Sequence, residues 1–244
     1  MNVDRPKIVP TGVLIAAVAA AGVCFAQQAP PDAFETKLLS VPADYDRVEL
    51  QWVLGDIEGR ARGLVLFGIE IPLDHGNQPL VSAHIPATVT VREALKIVFE
   101  KLPGYTFTSV APHLITILPE GYTADPGDML NLPVPSVDIV NVSPSTILND
   151  MPHYIPALHA ELFKGQGCFG VSITVSDSAP GITVTAHDTT LLGVLNLVSL
   201  ESVAAAGDHR GFAWGWAYLR ERVAAPSHTW RPFGRWIQGR GRTW

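Results

Sequence analysis

The sequence predicts an α+β protein made of two tandem small modules, each with two helices packed on one face of a small β-sheet. Three observations carry that expectation. Apolar residues form 47 % of the 244 and charged residues only 16 %, enough to bury real cores and too little charge for wholesale disorder. Stretches of period-2 alternation take turns with stretches of helical spacing along the chain. Finally, Thr90 to Val98 returns in pattern at Thr190 to Val198, with the apolar positions coinciding.

Residues 1–26 read as a signal peptide. Arg5 and Lys7 precede an uncharged run from Gly12 to Ala26, which at 15 residues is short for a bilayer span. Cleavage is expected after Ala26, which makes the mature protein periplasmic. Cys24 leaves with the signal, so Cys168 becomes the one remaining thiol, without an internal disulfide partner, and reads as a small buried hydrophobe. Residues 27–37 follow as a linker.

The first module is expected over 38–120. Asp46 to Glu49 caps a helix with Leu50, Val53, Leu54 and Ile57 on one stripe, and Gly63 to Ile69 forms the next strand. Leu80 to Ile85 alternates as a strand with Val81, Ala83 and Ile85 inward and Ser82 and His84 outward. The following helix places Val91, Ala94, Leu95 and Val98 on one face. Thr90 and Glu93 form its capping box, and Pro103-Gly104 ends it. Tyr105 to Thr108 and Leu114 to Leu118 close the module as strands.

Gly121 to Pro135 reads as a solvated linker, Asp125 and Asp128 included, because a calcium loop needs more oxygen ligands at alternating positions. The second module is expected over 136–222. It has a strand from Val137 to Val142, then Ser143-Pro144 as cap and first turn of a helix with Ile147, Leu148 and Met151. Strands Val171 to Val175 and Ile182 to His187 precede the second copy of the helix, with Leu191, Val194, Leu195 and Val198 on its stripe. Phe212 to Leu219 is the closing strand, and His187 matches His84 as an outward residue.

A strand with one apolar face, then Thr-Val-x-x-Ala-Leu-x-x-Val, then a Gly-containing turn and a closing strand resembles the secretin and TonB short N-terminal domain. Thr90 to Leu95 is the kernel of the resemblance, Leu80 to Leu118 its best stretch, and Ile182 to Leu219 a looser second copy. The resemblance implies a periplasmic interaction module related to outer-membrane secretion or TonB-type transport. In such relatives the domain precedes a barrel. Here 22 residues follow Arg222, and a single barrel strand takes about 9 to 11.

No catalytic, cofactor-binding or metal-ligating set is read from the chain, and the expectation is a non-enzymatic protein without a cofactor. Asp150, His153 and His159 form the densest polar group, but their spacing matches no zinc motif. Phosphate-loop, dinucleotide and Gly-x-Ser-x-Gly fingerprints are missing. Function is therefore expected in binding, through an envelope protein partner that adds a strand to a sheet edge.

Charge distribution offers an alternative. The chain from Gln27 carries 15 basic and 22 acidic residues, yet His209 to Trp244 holds seven arginines against Glu221 alone. Residues 223–244 form a basic, aromatic tail that reads as a solvated, disordered end, a strip that binds anionic lipid or envelope polymer, or a segment folded back on the acidic body. The contact residues expected for an anionic surface are Arg222, Trp230, Arg231, Arg235, Trp236, Arg240, Arg242 and Trp244. Nucleic acid is not expected as a partner of an exported chain.

Overall fold

The computed structural model describes residues 32–38, 41–62, 64–74, 77–122, 128–163, 179–207 and 215–221. The signal segment, Cys168, the strand expected at Val171 to Val175 and the tail from Arg222 lie outside the described residues.

The fold is α+β. A 3₁₀ turn at Ala33–Glu35 leads into β1 (Ala43–Glu49), α1 (Leu50–Arg60), β2 (Leu66–Leu73), β3 (Leu80–Ile85), α2 (Val91–Phe99), β4 (Tyr105–Ala111) and β5 (Leu114–Pro119). A second 3₁₀ turn at Met129–Asn131 opens the other half, followed by β6 (Pro133–Val142), α3 (Pro144–Asn149), α4 (Met151–Tyr154), α5 (Pro156–Phe163), β7 (Ile182–Thr190), α6 (Leu191–Ala206) and β8 (Trp216–Glu221).

β1 and β3 form an antiparallel ribbon, and β6 and β7 form another. Between them lies one four-stranded sheet in the order β4-β5-β2-β8, with β2 parallel to both of its neighbours. Strand parity gives this sheet two buried faces. Phe67, Ile69, Ile71, Ile115 and Ile117 join the stripes of α1 and α2 and the inner ribbon residues Val81 and Ile85 in one core. Leu118, Trp216 and Tyr218 join α6 and the second ribbon's Val137, Ile139, Ile182 and Val184 in another. The result is ribbon, helices, sheet, helices, ribbon.

What differs from two self-contained modules is the place of the closing strand. β8 follows the second half's long helix but pairs with β2 of the first half, and the central sheet carries helices on both faces. Gly68 is the reason. The Trp216 indole lies across it, closer than any Cβ could tolerate, and the indole N–H donates to Asn196 Oδ1 of α6 at 2.9 Å. A glycine in β2 makes the seat, and a tryptophan from the far end of the chain fills it.

Local signals account for most elements. Thr90 and Glu93 close a full capping box on α2, Thr90 accepts from Glu93 N–H, and Leu95 is fully buried. Thr190 caps α6 by accepting from Gly193 N–H, and Leu195 is buried at the matching position. Ser143 caps α3 with Pro144 in its first turn, as expected. The helix expected beyond it is broken into three, because Pro152 and Pro156 each sit where a new helix can start and an old one cannot continue.

Three other expectations are corrected. Asp46 does not cap α1; it belongs to β1, and Glu49 stands at the cap without a side-chain bond. The closing strand begins at Trp216, while 212–214 lie outside the described residues. Asp128 is not solvated but 2 % exposed, with its carboxylate accepting Leu130 N–H at 2.8 Å to cap the second 3₁₀ turn. Asp32 caps the first turn in the same way through Phe34 N–H. Each turn then holds the helix that follows its ribbon: Thr36 C=O accepts from Val91 N–H, and Leu132 C=O from Leu191 N–H, both at 2.9 Å. Segments read as linkers are therefore structural heads of the two halves.

Candidate interaction surface

The ribbons are the outermost layers, and their outward faces are the polar surfaces that the fold displays most openly. On β1 and β3, Asp44, Asp46, Glu49, Ser82 and His84 all lie outward, with Leu80 45 % exposed among them. His84 stands opposite Asp44, and its Nδ1 is 2.6 Å from Asp44 Oδ1. Both side chains are largely in water, 59 % and 84 % exposed, so the contact is a surface hydrogen bond of small energetic weight.

A bulge sets the geometry beside it. Arg47 takes a left-handed backbone (φ 53°), and its N–H donates to Ser82 Oγ at 3.0 Å while that hydroxyl donates to Asp46 Oδ1 at 3.3 Å. The second ribbon repeats the arrangement one strand period along. Asn141 (φ 54°) donates its N–H to Thr183 Oγ1 at 3.4 Å, and Thr185 Oγ1 donates to Asp138 Oδ1 at 3.0 Å. His187 lies outward, opposite Ser136 instead of an aspartate. The outward placement of both histidines agrees with strand parity in the sequence.

Ser82 is engaged by Asp46 and the Arg47 N–H, not by His84, so no nucleophile is aligned on a base. Asp150 C=O accepts His153 N–H, and the His153 ring stands edge-on to Tyr154 at 5.2 Å. Among the described residues no group of three or more His, Cys, Asp or Glu side chains is arranged to hold a metal ion.

Known protein families, curated proteins and solved structures give no match to this chain.

The central sheet adds a second kind of surface, an edge. Among the described residues β5 is the one ladder partner of β4. Gly104 C=O accepts Glu120 N–H at 2.8 Å, which sets the phase of the hairpin: Thr106 and Thr108 bond β5, while Phe107 and Ser109 turn their backbone groups outward. Val110 stands 44 % exposed near the end of this edge. All the anionic-surface residues expected from the sequence, Arg222 to Trp244, lie outside the described residues. Sequence reading missed Asp46 as a surface strand residue because Asp46 to Glu49 reads as a helix cap, and it did not single out Asp44 or Asp138. The available signal was the alternation of Asp44 and Asp46 with Ala43 and Tyr45, which the bulge ends before Val48.

Proposed function

We propose that this chain is a non-enzymatic protein–protein interaction module of the cell envelope, acting in the periplasm as an adaptor related to outer-membrane secretion or TonB-type transport. What supports the reading is the outer edge of β4, where, among the described residues, Phe107 and Ser109 turn backbone donors and acceptors away from β5, toward where an added strand would lie. The chemistry of the ribbon faces, with hydroxyls, carboxylates and histidines in water, also suits recognition better than bond making. Among the described residues no helix is long and apolar enough to cross a membrane.

The test compares capture of an envelope partner by the wild-type chain, by Ser109→Pro, and by the chain lacking 223–244. Proline at 109 removes one outward N–H and leaves the bonds of Thr106 and Thr108 to β5 in place. Loss of capture in Ser109→Pro with retention in the truncated chain supports the adaptor. The reverse pattern supports attachment to anionic lipid or polymer through the Arg- and Trp-rich tail instead. Mass spectrometry of the mature N-terminus checks cleavage after Ala26.

A further inference from the structure

The end of β8 lies at the corner of the molecule where the first ribbon begins. Glu221 is level with Leu73 at the end of β2. From Leu73 the chain closes a tight Asp74–Asn77 bridge and enters β3 at Leu80, which pairs with Glu49. Leu50 N–H bonds Pro79 C=O at 3.0 Å, so α1 starts at the same corner. Leu80 and Trp52 stand 45 % and 47 % exposed there, with Glu49 opposite Leu80 and Asp46 and Asp44 following along β1 toward the far end of the ribbon.

The chain that continues from this corner has the opposite chemistry. Residues 222–244 hold five arginines, three tryptophans and no acidic residue. Fully extended they reach about 75 Å, several times the roughly 20 Å length of a six-residue strand. We infer that segment 222–244 docks on the outward face of the β1–β3 ribbon of its own chain, with arginines on Asp44, Asp46 and Glu49 and an indole on Leu80. The second ribbon, with Asp138 and Asp188, fits less well because the tail leaves from the corner of the first; exposed Arg47 offsets one of the first ribbon's three carboxylates, so place and not charge separates the two. The inference is independent of the adaptor reading, because it concerns which part of this chain covers the ribbon and not what the β4 edge binds.

Tryptic cleavage of the full chain after Arg235 and Arg240, followed by mass spectrometry, tests it. At about 0.05 M salt the docked tail is cut slowly, and at about 0.5 M, where charges are screened beyond about 4 Å, it is cut about tenfold faster. The triple variant Asp44→Asn, Asp46→Asn, Glu49→Gln is cut at the fast rate at both salts. Asp138→Asn with Asp188→Asn keeps the wild-type protection. Wild type cut equally fast at both salts overturns the inference whether or not the variants fold. So does protection that rises with protein concentration, which assigns the ribbon to a second copy, and so does loss of protection in the Asp138/Asp188 pair, which assigns the tail to the other face.

Discussion

At Gly68 a single methyl group is too much. Its Cβ would enter the Trp216 ring, and backbone in the middle of a central strand has nowhere to retreat, so Gly68→Ala should lower stability by about 1 to 3 kcal/mol in urea unfolding. Trp216→Leu in the same chain should recover part of that loss, because it removes the atoms in the way. Leu95→Ala and Leu195→Ala should each cost about 2 to 5 kcal/mol, since both leucines are buried in full cores. Glu58 makes a prediction in pH. Burial pushes its carboxyl up to about 8, against the lowering effect of the Phe67 N–H that it accepts at 2.6 Å. A carboxyl that ionises at higher pH in the fold than in the unfolded chain favours the protonated fold. Stability should therefore fall as pH rises from the ordinary carboxylate range through about 8, and Glu58→Gln should flatten that fall in melting curves.

The elements that were legible are those whose information lies within one or two turns. α2 and α6 each announce themselves by a threonine cap and an apolar stripe, and β3 and β7 by clean alternation. Thr90→Ala should cost about 1 kcal/mol, while the Thr90 backbone N–H, the larger of the two bonds that hold the Glu93 carboxyl below its usual range, survives and the acid limb of stability shifts only in part. The sign follows from the lowered value: the Glu93 contribution is present at neutral pH and disappears as pH falls through its folded titration. β1 was hidden because aspartates at its outward positions imitate a helix cap, and the 3₁₀ heads because Asp-x-Phe and Asp-x-Leu are too short to stand out from a loop. Aromatic packing then makes the first head structural, with Phe34 5.9 Å from Phe107 and Arg92 4.3 Å above the Phe34 ring.

At the scale of the molecule, two cores share one sheet, and the shared strand pair is what no local pattern could reveal. Nothing near Gly68 says that its partner is Trp216; the match is one of shape between residues far apart in the chain, and only the folded sheet brings them together. The candidate surfaces were legible in part: His84 and His187 followed from parity, while the acids opposite and beside them needed the ribbon register. Trp216→Ala should cost about 3 to 5 kcal/mol, and because it empties the contact between the halves, unfolding followed by calorimetry should broaden or split. A single sharp transition at reduced temperature would instead mean that α6 and β5 alone hold the halves together.

Pairing β8 with β2 also puts the two strands on different clocks. A ribosome emits β2 early, and Trp216 follows Leu73 by 143 residues, which at about 5 to 20 residues per second is a wait of about 7 to 30 s. Throughout that interval a flat, apolar strand has a naked flank, the kind of template on which neighbouring nascent chains aggregate. Among the described residues the first amide on that flank, Phe67 N–H, is shielded by a Glu58 made earlier. The high contact order of this one ladder makes the final strand the step that ends the chain's exposure, and it makes a holding chaperone most useful before residue 216 emerges.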